Sequence, residues 1–154
     1  MKDPARWALE GGYALAGETP KYAAVHYQGS MNMGRAHGSP RMHVVMVDLE
    51  HDRQLYLKDL FRADYLKVVS AYCIAELRKN KDLRNYQIQS GAGPKAENYS
   101  RSYPVRDGLQ VHFAAYQVGP YVLGPQRVLI PWPQLEGVMN RAELTRLGLL
   151  TPLP

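Results

Sequence analysis

A chain of 154 residues, 45% hydrophobic and 21% charged, is sized for one core, since about 100–150 residues build one without metals or disulfides. Two large independent domains and a disordered chain are both excluded, and the longest apolar runs, Ala71 to Ala75 and Val128 to Ile130, fall far short of the roughly 20 residues of a membrane-spanning helix. The net charge of +5, from 19 basic and 14 acidic residues, is diffuse; its densest stretch, Arg78, Lys79, Lys81 and Arg84, reads as the solvated end of a helix rather than a nucleic-acid surface.

Met1 to Gly17 is broken by Asp3, Pro4, Glu10 and paired glycines and lacks the apolar segment of a signal peptide. Residues 1–21 read as an N-terminal arm or remnant strand ahead of one α+β domain over 22–154. Tyr22 to Tyr27 is aromatic and β-branched enough for a strand. Met42 to Leu49 alternates Met42, Val44 and Met46 with Val45, Val47 and Leu49, so apolar residues on both faces predict a central, two-sided strand. Gly29 to Pro40 between them is too long and glycine-rich for a tight turn and is predicted to project as a loop. Glu50-His51-Asp52-Arg53 is a polar turn into a strand over Gln54 to Leu57.

The long helix follows, with Asp64 at its start and Leu66, Val69, Cys73 and Leu77 at helical spacing, Ile74 widening the stripe. A polar loop through Pro94 precedes a hairpin in which Tyr99 to Arg106 pairs with Leu109 to Tyr116. Its turn is assigned to Asp107-Gly108, and Leu109, Val111, Phe113 and Ala115 share the core face. Arg127 to Ile130 is a further strand, Pro133 suits the first turn of a short helix through Val138, and Asn140 with Glu143 forms a capping box for a last one. The expected class is α+β, with a curved antiparallel sheet, one long helix packed on one face and a short C-terminal helix.

Catalytic signatures are scarce. The histidines at 26, 37, 43, 51 and 112 lack metal-ligand spacing, and no cysteine pair, serine elbow or phosphate loop occurs, so no metal, cofactor or catalytic residue is assigned. Cys73, the single thiol, lies on the apolar stripe and reads as structural. Carboxylates for a glycan hydrolase would come from Asp48, Glu50, Asp52, Asp59 and Asp64, with Asp48, Glu50 and Asp52 the centre of that alternative; turns and caps already account for these residues. Tyrosine is abundant, 11 against 2 phenylalanines, and suits protein recognition or sugar stacking.

Gly34-Arg35-Ala36-His37-Gly38, Val47-Asp48-Leu49, Leu57-Lys58-Asp59-Leu60-Phe61, Tyr65-Leu66, Asp107-Gly108-Leu109, Phe113, Tyr116, Gly119-Pro120-Tyr121, Gly124, Ile130-Pro131 and Leu135 together resemble one bacterial family. It is the extracytoplasmic domain of sigma-V-type anti-sigma factors of the lysozyme-receptor kind, shared with an accessory domain of some peptidoglycan deacetylases and with uncharacterised envelope proteins. The resemblance runs from about Tyr22 to Val138 and departs at Arg35, where the family often has glycine. It implies a helix on a curved sheet, an extracytoplasmic location and no enzyme activity. The implied partner is a protein such as a lysozyme-like muramidase, or wall glycan.

The residues singled out for recognition are Met31, Met33, Arg35, Tyr116 and Tyr121, types that interfaces favour on loops a sheet can hold. Gly34 and Gly38 relax the backbone beside them, and His37 is read as a latch tying the loop to a carbonyl.

Overall fold

The computed structural model describes residues 7–33 and 38–152. It is α+β, with every strand pairing antiparallel. The strands divide between two sheets where one was expected, because helical and turn segments fill the chain from Leu57 to Tyr99.

The first sheet has the order β1-β2-β3-β4. β1 (Trp7–Thr19) is a full strand rather than a loose arm or a remnant, and it pairs with β2 (Tyr22–Met33) along its length. β2 pairs with β3 (Ser39–Asp48), and β3 with the short β4 (Arg53–Leu55) across the expected polar turn. The predicted loop over Gly29 to Pro40 is therefore strand at both ends, β2 running to Met33 and β3 starting at Ser39. Glycine in that stretch serves close packing instead of a turn: Gly29 stands opposite Gly11, and a Cβ at either would overlap the Tyr27 ring.

β3 is central in hydrogen bonding but not buried on both faces. Met42 and Met46 enter the core while Val45 stays exposed, as does Leu49 just beyond the strand. Among the described residues no layer of protein covers the second face.

After a single helical turn, α1 (Leu57–Leu60), comes α2 (Tyr65–Leu77). Val69, Cys73 and Leu77 are buried as their spacing predicts, and Leu66 is half-buried. Asp64 occupies the N-cap position but makes no capping bond; its backbone is left-handed (φ 67°) and its carboxylate pairs with Lys67 at 3.1 Å. The polar stretch that follows contains a helix, α3 (Asn85–Gly91), where a loop was expected. Its one buried apolar side chain, Ile88, gives no periodicity to read.

The second sheet is β5 (Ser102–Val105), β6 (Gly108–Phe113) and β7 (Gln126–Pro131) in that order. Leu109, Val111 and Phe113 are fully buried and share one cluster with the α2 stripe. Ala115 lies beyond β6 and is half-buried. The hairpin turn falls one residue earlier than expected, on Arg106-Asp107, because Gly108 pairs with Val105. Gly108 does not have positive φ; it is glycine because a Cβ would strike the Ile130 carbonyl on β7. α4 (Trp132–Leu135) and α5 (Arg141–Arg146) close the chain, and Asn140 caps α5 by accepting from the Glu143 amide at 3.3 Å. No helix of the described residues is long and apolar enough to cross a membrane.

Candidate recognition site

The segment from Ala114 to Pro125 joins β6 to β7 as a strap over α3. Gln117 holds it: its Oε1 accepts from the Ala114 amide at 3.0 Å, and its Nε2 donates to the carbonyls of Gly91 and Asn98, both at 2.9 Å. The approach is so close that a Cβ on Gly91 would overlap the Gln117 carbonyl. Val118 is buried, and Gly119 leaves room for Leu83. Beyond Pro120 the chain makes one 3₁₀ turn, Tyr121–Leu123, whose Leu123 carbonyl accepts from Gln126 Nε2 at 2.9 Å. Such fixed anchoring leaves little ordering entropy to lose on binding.

This strap brings together two of the predicted side chains. Tyr116 and Tyr121 stack with ring centroids 5.0 Å apart and planes 29° from parallel, yet Tyr116 is 68% and Tyr121 43% exposed. Val122 beside them is 86% exposed. Tyr116 also has φ 70°, a left-handed conformation that bulky residues adopt at a cost of about 1–2 kcal/mol. The left-handed backbone at Tyr116 carries its ring to the surface, where it stands exposed beside Tyr121.

The other predicted recognition residues lie elsewhere. Met31, on β2, lines an open groove of about 830 Å³ on the outer face of the first sheet, and Met33 follows on the same face, 43% exposed. No residue lining that groove comes from the strap. Gly34, Arg35 and His37 lie outside the described residues; Gly38 packs against Ser30, whose Oγ a Cβ would strike.

The groove also contains residues that sequence reading passed over. Tyr13, Tyr27 and His43 are consecutive cross-strand partners on β1, β2 and β3. Tyr13 and Tyr27 lie 5.0 Å apart, and Tyr27 and His43 6.3 Å apart at 26°. Only the strand register assembles this row; nothing in the local sequence of any one strand contains it.

The carboxylates behave differently. Asp48 is fully buried and accepts from the Glu50 and His51 amides at 3.1 and 3.2 Å, closing the turn between β3 and β4. Its side chain meets Arg146, His51 Nδ1 at 2.9 Å and Arg53 at 3.3 Å, while Glu50 pairs with Arg146 at 2.7 Å and Lys21 at 2.9 Å. Burial raises the Asp48 pKa, but hydrogen bonds from Arg146 and His51 outweigh it and hold the carboxyl well below the usual range. Lys21 and Arg146 lower Glu50 as well. Both are ionised anchors for the β3–β4 turn and α5, with neither raised toward the proton donor that glycan hydrolysis requires. Asp52 is exposed at the turn (φ 48°), and Asp59 accepts from the Tyr56 amide at 2.8 Å to cap α1. Among the described residues no group of histidine, cysteine or carboxylate side chains is arranged to hold a metal ion.

Residues 58–133 match the DUF3298 family, described as proteins of unknown function. The match takes in α2, the strap and β7 but leaves out the outer-face groove of β1–β3. Over 132 residues the chain is 29% identical to the peptidoglycan-N-acetylmuramic acid deacetylase PdaC of Bacillus subtilis, covering 83% of this chain and 28% of that protein; the chain thus spans little more than a quarter of that relative. Two solved DUF3298 structures share the fold. One, from Bacteroides fragilis, has a TM-score of 0.69 at 20% identity over 87% of this chain and 55% of its own. The other, from Pseudomonas aeruginosa, has a TM-score of 0.66 at 14% identity over 87% of this chain and 62% of its own.

Proposed function

We propose that this protein is a non-enzymatic binding module of the bacterial cell envelope, placed outside the cytoplasm, whose strap recognises a protein partner of the lysozyme-like muramidase kind. The observation that carries the reading is Tyr116: a stacked, exposed tyrosine pair held out by a left-handed backbone on a strap with little freedom left. Tyrosine pairs of this sort give large contact area at low entropic cost. The similarity to a peptidoglycan deacetylase supports a wall-associated setting. The ion-paired state of Asp48 and Glu50 argues against the glycan-hydrolase alternative centred on Asp48, Glu50 and Asp52. A formal charge of +5 slows encounter with a cationic muramidase, so shape at the strap must supply the affinity.

The test is capture of purified muramidases by the chain, with peptidoglycan turnover followed in parallel. Saturable binding without turnover is expected, and Tyr121→Ala should cost about 2 kcal/mol of binding with an unchanged unfolding midpoint. Glycan cleavage that disappears in Asp48→Asn or Glu50→Gln would overturn the reading in favour of a hydrolase.

A further inference from the structure

The outer face of the first sheet is an apolar surface that the strap does not use. Leu9 is 67% exposed, Tyr13 78%, Leu15 54% and Val45 43%, exposed apolar side chains gathered on one sheet face. The paired glycines Gly11 and Gly29 keep side chains off the floor, and the Tyr27 ring lies across them. Ring-bearing residues on three adjacent strands, spaced by about 4.8 Å each, form a shallow row as long as a disaccharide. Tyrosine and imidazole rings offer flat apolar faces to the C–H face of a pyranose, and their polar edges reach its hydroxyls.

Charge indicates which sugar. Arg41 lines the same groove, is exposed, and makes no ion pair with any described residue. Among the described residues no acidic side chain lines the groove. A guanidinium fork without a partner beside an aromatic row suits a carboxylate on the bound chain.

We propose that this groove binds the glycan of peptidoglycan, the pyranose rings lying on Tyr13, Tyr27 and His43 and a carboxylate of the stem peptide carried by a muramic acid unit pairing with Arg41. The proposal rests on the envelope reading above but on a different surface, outside the DUF3298 match.

The experiment is co-sedimentation of the chain with purified peptidoglycan sacculi and, separately, with chitin, which has the amino-sugar backbone without the stem peptides and their carboxylates. Tyr13→Ala and Arg41→Gln are suitable variants because both side chains are exposed, and thermal unfolding checks that each folds. Tyr13→Ala is expected to weaken sacculus binding about tenfold. Arg41→Gln should bring sacculus binding down to the level of chitin and leave chitin binding as it was. Muramidase capture is measured on the same preparation. Sacculus binding that depends on Tyr13 while muramidase capture fails supports the groove and counts against the strap alone. Muramidase capture without sacculus binding overturns the groove alone, as does sacculus binding that both variants retain. A chain that self-associates through this face, with the association lost in Tyr13→Ala and no sacculus bound, would assign the surface to a second copy and overturn the proposal.

Discussion

Among the described residues, Asp48 and His112 are buried groups whose protonation the fold resists, and they do so in different pH ranges. His112 faces the first sheet from β6, with Tyr103 Oη 3.0 Å from its Nε2 and the His26 ring 5.4 Å away. Its Nδ1, like Nε2 of His26, is buried without a hydrogen-bond partner. Burial, then Arg127 and His26, push the His112 pKa down to about 4; burial and Arg127 lower His26 too. An unfolded histidine titrates near pH 6.5, so between about pH 6.5 and 4 the unfolded chain binds more protons, and stability falls as pH falls through that window. The Asp48 carboxyl, depressed by Arg146 and His51, adds stability that is complete above about pH 4 and is lost below it. Urea unfolding across pH 7 to 3 should therefore show two successive losses, the upper one shallower in His112→Gln and the lower one shallower in Asp48→Asn. An imidazole resonance of native His112 with its midpoint at pH 6.5 would remove the upper step.

At the scale of elements, the hairpin β5–β6 shows what a glycine is for. Gly108 sits in the strand, opposite both Val105 and Pro131, with the Ile130 carbonyl where its Cβ would be. Gly108→Ala should cost about 1–3 kcal/mol, as overpacked sites do, and a denaturation midpoint within error of the parent would refute the close approach. The sequence pattern was right that this glycine is needed and wrong about why, since a positive-φ turn and a tight strand crossing select the same residue. α2 was legible because Val69, Cys73 and Leu77 recur on one face. α3 was not, because its helix depends on Ile88 entering the core and on Gly91 lying under Gln117, both tertiary events. β1 was hidden for a related reason: Gly11-Gly12 and Gly17 interrupt its alternation, and pairing with β2 supplies the order that propensity lacks. Residue type alone singled out Tyr116 and Tyr121, and that their rings stack is a tertiary fact the local sequence does not contain. The row of Tyr13, Tyr27 and His43 was beyond reach, because strand register is a property of three segments at once.

For the molecule as a whole, the fold holds two candidate binding surfaces on separate supports: the strap on the helical layer and the groove on a sheet face that no layer of the described residues covers. The strap gives the sharper test of whether stability is given up for presentation. At φ 70° a tyrosine is disfavoured where glycine is not, and 68% exposure means that its ring contributes little burial in return. Tyr116→Gly should therefore fold at least as stably as the parent, with a gain of up to about 1 kcal/mol once the relief of backbone strain is set against glycine's greater unfolded entropy and the lost contact with Tyr121. Tyr116→Ala keeps the strain and loses the ring, so it should be the less stable of the two. Binding should fall together in both variants, because each removes half of the stacked pair. A Tyr116→Gly protein that is clearly destabilised would show that the ring serves packing, and recognition would then have to be sought elsewhere than on the strap.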